Sequence, residues 1–225
     1  MSEMKRYSSE LRAVPQPATK ITKSDRTRAA ILNAALEFIW SHPFREMTVN
    51  SLMATTDLSR SAFYQYFDDI HKMMETLLQL LAEEIFASSN HWLVGVGDPV
   101  ALLNEAYEGL TRTCYRYGPF MRAVSDAASA DERFEKDWVQ FLGAFDDAAT
   151  IRIEADQAQG LIVPFDARPV AFSLNRVNAY TFIDAFGQRP RRKPKPVQGA
   201  LARIWISTLY GAEWVEKGSS SLVRK

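Results

Sequence analysis

Residues 48–67, TVNSLMATTDLSRSAFYQYF, place two helix starts and two short apolar stripes in one stretch of chain. Thr48 and Ser59 carry hydroxyls of the kind that accept from the free N–H groups at a helix N-terminus, so each marks a beginning. Val49, Leu52, Leu58, Phe63 and Phe67 recur at the spacing of a single helix face. They supply a small core that fixes the angle between two short helices. A chain with this segment is committed to a tight helical hairpin near its N-terminal end.

The residues left outside that core are Asn50, Arg60, Ser61, Ala62, Tyr64 and Gln65, and their chemistry suits a face that reads duplex DNA. Arginine pairs with a guanine edge, glutamine with adenine, and an alanine methyl touches thymine. The Tyr64 hydroxyl is at the reach of a phosphate oxygen, as are Thr48 and Ser59 from helix N-termini. An amphipathic hairpin that serves core packing alone is the plainer alternative. The F-Y-x-Y-F cluster from Phe63 to Phe67 weighs against it.

Overall charge gives no hint of such a partner, because 27 Lys and Arg balance 27 Asp and Glu. A nucleic-acid surface therefore requires local segregation of charge. The first thirty residues show it: Lys5, Arg6, Arg12, Lys20, Lys23, Arg26 and Arg28 face Glu3, Glu10 and Asp25. No apolar run approaches a membrane span, and the N-terminus lacks a secretory leader's apolar segment. The lone cysteine, Cys114, has no partner for an internal disulfide. These features lead us to expect a cytoplasmic protein. His42, His71 and His91 are scattered without metal-ligand spacing, and neither a P-loop nor a dinucleotide-binding glycine pattern occurs. We expect no catalytic residue, metal or cofactor.

The chain reads as all-α. Residues 1–23, with Pro15 and Pro17, are expected to form a flexible basic arm and 217–225 a flexible tail; the domains are expected at 24–72 and 73–216. Asp25 is expected to cap the first helix, whose stripe is Ile31, Ala34, Ala35 and Phe38. A long helix follows Asp68–Asp69, Asp98-Pro99 opens another, and Gly118-Pro119 is expected to divide that one in two. Further helices are expected at 132–159, from Asp166 to Gly187, and at 197–216. The basic stretch QRPRRKPKP between the last two reads as a solvated connection.

Residues 26–75 resemble the DNA-binding domain of the TetR family of transcriptional regulators. The likeness rests on Thr48, Val49, Leu52, Leu58, Ser59, Arg60, Phe63, Tyr64, Tyr66 and Phe67, with a long connecting helix behind. It implies a homodimer on double-stranded operator DNA, with a larger C-terminal domain for ligand binding and dimerisation. Three positions depart from the family pattern. Asp57 replaces a turn glycine at a position expected to be left-handed, which aspartate tolerates. Met53 replaces a small alanine. Ile70 stands where a phosphate-binding lysine normally follows the aromatics, leaving Lys72 or His71 as substitutes.

SLNRVNAYTF (173–182) and RIWISTLYG (203–211) are similar to the TetR subgroup typified by the repressor of the mycobacterial ethionamide-activating monooxygenase. That likeness implies a small apolar effector held by Asn175, Asn178, Phe182 and Trp205, with Phe145 a looser match. Independently, Asn175 and Asn178 share one face of an apolar helix, and a buried amide needs a partner. A ligand, a neighbouring helix, water or a dimer mate would each serve. Tyr107, Trp138 and Phe141 read as core. The last two helices are apolar on more than one face, and Ala200, Ile204, Ser207, Thr208 and Gly211 offer small contacts for a two-fold partner. The expected function is a ligand-responsive repressor. A ligand-independent architectural DNA binder and a helical enzyme are the alternatives.

Overall fold

A computed structural model describes residues 22–211; of the arm expected at 1–23, residues 1–21 lie outside the described residues, as does the tail expected at 217–225, while Thr22 and Lys23 already belong to the cap and first turn of a helix. Eight α-helices run in order: α1 Lys23–Ser41, α2 Val49–Met53, α3 Arg60–Tyr64, α4 Ile70–Val94, α5 Pro99–Ala128, α6 Glu132–Ala158, α7 Ala167–Phe186 and α8 Pro194–Leu209. There is no strand among the described residues. α5 is the axis of the larger unit, packing against α4, α6, α7 and α8 and reaching α1 of the head.

Helix starts follow the local chemistry, with one shift. Thr22, rather than Asp25, caps α1. Its side chain accepts from the Asp25 N–H at 3.1 Å while the Thr22 N–H donates to the Asp25 carboxylate at 2.9 Å. Asp25 is thus the far half of a capping box. Thr48 and Ser51 form the same reciprocal pair on α2, and Ser59 Oγ accepts the Ala62 N–H at 3.2 Å on α3. The head closes around Ile31, Ala35, Phe38, Leu52, Met53, Phe63, Phe67 and Met73, all buried.

The turn between α2 and α3 corrects the expectation for Asp57, since no non-glycine residue has a positive φ among those described. Hydroxyls make the turn instead. Thr55 Oγ1 donates to the Leu52 carbonyl at 2.7 Å and Thr56 Oγ1 to that of Met53 at 2.9 Å, while the Leu58 N–H donates to Thr56 Oγ1. Side chains thereby take up backbone groups that a left-handed glycine would otherwise arrange.

Gly118-Pro119 does not divide α5, which runs unbroken through Pro119. Proline removes one helical N–H and leaves the carbonyl four residues earlier, on Tyr115, without its usual donor. Arg191 Nη1 donates to that carbonyl at 2.9 Å, so the helix continues with its orphan acceptor satisfied. Gly118 is required here for a separate reason: a Cβ would lie 2.3 Å from the carbonyl oxygen of Phe186. α8 begins at Pro194 and ends at Leu209, earlier at both ends than 197–216. Pro194 and Pro196 are tolerated because first-turn N–H groups have no intrahelical acceptor anyway.

Two side-chain links tie distant helices together. Tyr117 OH on α5 donates to Glu84 Oε1 on α4 at 2.8 Å. Deeper in, Trp92 Nε1 donates to Tyr210 OH at 3.0 Å, Tyr210 OH donates to Asp156 Oδ2 at 2.7 Å, and Arg152 pairs with the same oxygen at 3.0 Å. Arg152 also donates to the Gly95 carbonyl at 2.8 Å.

Gly118→Ala should lower the unfolding free energy by about 1–3 kcal/mol, because its methyl meets backbone that cannot yield. Gly143→Ala, inside α6 with nothing within 4 Å of the added carbon, should raise it by up to about 1 kcal/mol. Urea titrations at one fixed protein concentration check both.

Burial, with the Glu84 hydrogen bond adding, pushes the Tyr117 phenol up to about 12 from its ordinary 10.0. The unfolded chain gives up this proton near pH 10 while the folded one keeps it. The associated stability is therefore present below pH 10 and lost as pH rises through about 12. Unfolding free energy should fall across that window, less steeply in Tyr117→Phe.

Candidate functional site

Two features of the fold carry chemistry, one on the head and one inside the larger unit. On the head, Phe63 and Phe67 of the F-Y-x-Y-F cluster are wholly internal, and Tyr64 faces outward. Tyr64 is 48% exposed, its ring edge-on to Phe63 at 5.5 Å with the Arg60 guanidinium 5.8 Å from its centroid. Tyr66 instead turns back to α1, where Ser24 Oγ donates to its hydroxyl at 3.3 Å. Thr48, Asn50, Ser59, Arg60, Ser61 and Gln65 are exposed, and Ala62 is half-buried. The Ser59 and Ser61 hydroxyls lie 2.8 Å apart.

At the start of α4 the two substitutes for the missing lysine separate. His71 is half-buried, with Nε2 2.9 Å from Asp137 Oδ2 and its ring edge-on to Phe134. It is committed to the joint between α4 and α6. Lys72 is exposed and pairs with Glu75, whose hydrogen bond and charge raise its pKa. Of the two, only Lys72 keeps its charge on the surface.

Inside the larger unit is a cavity of about 720 Å³, its open mouth included, walled by α4, α5, α6, α7 and α8. Phe145, Asn175, Asn178, Phe182 and Trp205 all line it. The lining is apolar with few polar groups, as small-molecule sites generally are.

The two asparagines have different roles. Asn175 Nδ2 donates to Asp146 Oδ1 at 3.0 Å, and Arg176 holds both oxygens of that buried carboxylate at 3.1 Å. The Asn175 amide is thus engaged by the protein. Asn178 Oδ1 accepts from Tyr107 OH at 2.8 Å and Trp205 Nε1 at 3.2 Å. An indole N–H can only donate, which fixes the amide orientation. Both acceptor positions of Asn178 are taken, and its Nδ2 makes no hydrogen bond with the described residues.

Tyr107 and Phe141, read from sequence as core, are cavity wall, whereas Trp138 is not. Trp92 and Cys114 also face the cavity. Their signal in the sequence was an apolar stripe at helical spacing, which is the same for a wall and for a filled core. Burial pushes the Cys114 thiol well up and holds the Tyr107 hydroxyl protonated despite its bond to Asn178. Both therefore stand as neutral groups. No cluster of candidate metal ligands occurs among the described residues.

The basic stretch after α7 is not simply solvated. Arg191 lies with its guanidinium 3.7 Å from the Tyr115 ring centroid and 4.6 Å from that of Trp40, in the last turn of α1.

Residues 103–211 match the family model of the transcriptional regulator EthR, C-terminal domain. The EthR regulator of Mycolicibacterium smegmatis is 24% identical over 190 residues, covering 83% of this chain and 88% of the relative. That of Mycobacterium tuberculosis is 27% identical over 202 residues with the same coverage. A TetR-family transcriptional regulator from Agrobacterium tumefaciens shares the fold, with a TM-score of 0.66 at 15% identity, over 84% of this chain and 100% of that one. A helix-turn-helix head joined to an all-helical unit is the arrangement of TetR-family transcriptional regulators, whose fold this chain shares, and its residues 103–211 are similar to the EthR C-terminal domain. Regulators of this family bind operator DNA and act as dimers, and no helix among the described residues is long and apolar enough to cross a membrane.

Proposed function

We propose that this chain is a cytoplasmic, homodimeric repressor that leaves its operator when a small apolar molecule fills the cavity. The observation that carries the reading is the Asn178 amide. Its carbonyl is saturated by two aromatic donors while its Nδ2 has no partner among the described residues. The effector is then an apolar body bearing one hydrogen-bond acceptor, such as a carbonyl or ester oxygen. Phe145, Phe182 and Trp205 form its aromatic walls, and Asn175 braces α7 against Asp146. Such a molecule acts only through its difference in affinity between the DNA-bound and released shapes.

Dimerisation through α7 and α8 is supported by the apolar groups they leave in water: Phe172, Val177, Tyr180 and Ile204 are 50, 39, 55 and 40% exposed. Ala200, Ser207, Thr208 and Gly211 are exposed on the same helix as Ile204 or just beyond it. The Ser207 and Thr208 hydroxyls donate to the Ile204 carbonyl of their own helix, so neither is left unpaired by close approach. Two heads related by this axis would enter successive major grooves about 34–36 Å apart. On the head, Thr48, Ser59 and Tyr64 face phosphate. Asn50, Arg60, Ser61, Ala62 and Gln65 face base edges, and Lys72 contacts the flanking backbone.

Duplexes selected from a random pool by the full chain supply the operator. Tyr64→Phe should weaken binding to all duplexes alike, whereas Arg60→Ala should cost about 1–3 kcal/mol at one base pair and relax choice there. Gel shifts at stated salt decide; affinities unchanged in both variants reject this face.

Nile red, a neutral apolar dye with a carbonyl acceptor, tests the cavity. It should bind once per chain with a rise in emission. Asn178→Ala should weaken it about tenfold, roughly 1.4 kcal/mol, and move the emission to shorter wavelength as the carbonyl loses its donor. Equal affinity and equal colour in the variant reject the role given to Asn178.

A further inference from the structure

We propose that Arg191 is the positioning residue that links the contents of the cavity to the set of the DNA-reading head. The inference rests on the effector reading above and adds the route by which occupancy would be felt. Arg191 is held at three points by two different units. Its guanidinium lies against Trp40 of the head and against Tyr115 of α5, and Nη1 donates to the Tyr115 carbonyl at 2.9 Å. That carbonyl is the one that Pro119 deprives of its helical donor. Arg191 forms no ion pair with the described residues, so its charge is spent on two aromatic faces and one orphan acceptor. A planar, always charged fork can stack on both rings while donating to the carbonyl, which a compact, strongly hydrated ammonium does less well.

Each step back from Arg191 to the cavity is a contact. Tyr115 is edge-on to Phe186 at 5.1 Å, Phe186 is stacked on Phe182 at 5.7 Å, and Phe182 is cavity wall. The loop carrying Arg191 is tied to the end of α7, where the Arg192 N–H donates to the Ala185 carbonyl at 2.9 Å. At Gly118 the backbones of α5 and α7 meet with no side chain between them, so neither helix shifts there without the other. Pro119 sits between Cys114 and Met121, both facing the cavity, and proline is where a helix bends most readily. A molecule that moves Phe182, or flexes α5 between Cys114 and Met121, displaces the Tyr115 carbonyl. Arg191 then carries the displacement to the last turn of α1. Contiguity alone does not establish coupling, and the test therefore measures coupling directly.

Full-length protein labelled with 5-fluorotryptophan reports on Trp40, its fluorine resonance assigned by its loss in Trp40→Phe. Saturating Nile red should move this resonance in the native chain. In Arg191→Leu and Arg191→Lys, Nile red should bind within twofold of native affinity while the Trp40 resonance no longer responds. A purely structural role for Arg191 would lower the unfolding midpoint yet leave that response intact. A response that persists in Arg191→Leu, or a native Trp40 resonance that stays still with dye bound, overturns the proposal. Failure of the dye to bind counts against the effector reading instead, and the coupling is then decided from within the protein. Phe182→Leu should shift the Trp40 resonance in the native background and not in Arg191→Leu. No shift, or the same shift in both backgrounds, overturns the proposal.

Discussion

A close approach between two helices, Gly118 of α5 against the Phe186 carbonyl at the end of α7, sets the geometry on which both functional features depend. With no side chain between them, α5 lies near enough to α7 for Phe182 and Phe186 to reach under it. The same approach brings the loop after α7 up to Tyr115 and to α1. A bulkier residue at 118 would separate these helices at the level where the larger unit meets the head.

Close packing at one level is matched by an opening at another. The cavity persists between tightly packed helices because its walls are stiff and are pinned at their polar ends. Tyr107 and Trp205 come from α5 and α8, and both are fastened to one amide on α7. Trp92 is fastened in turn to Tyr210. Aromatic rings held by their only polar atoms cannot swing inward to fill the space, as an aliphatic side chain would by changing rotamer.

Much of the head was legible in the sequence because its signals are local. A hydroxyl before an apolar stripe marks a helix start whatever lies around it, and Phe63 and Phe67 separate from Tyr64 by spacing alone. Tertiary partners account for the misreadings. Asp57 reads as a left-handed turn residue, a conformation that Thr55 and Thr56 make unnecessary. Pro119 reads as a break, since nothing near it in the chain shows that Arg191, far along the sequence, supplies the missing donor. The cavity was legible only through family likeness: Tyr107 and Phe141 show the periodicity of buried residues, and periodicity does not distinguish a wall from a filled core. Asn175 and Asn178 looked alike from their three-residue spacing, yet Asp146 on another helix makes one a brace and leaves the other with spare donors.

The hydrogen bond from Trp92 to Tyr210 spans 118 residues, and it bears on how this domain comes to exist on the ribosome. Until Tyr210 arrives, the Trp92 indole lacks its acceptor and the Asp156 carboxylate lacks one of its two donors. Trp205 is likewise absent from the wall. The chamber is therefore finished by some of the last described residues to be synthesised, long after α1 to α3 have emerged. A nascent chain passes through a stage in which its first helices are made and the compartment still lacks its last wall.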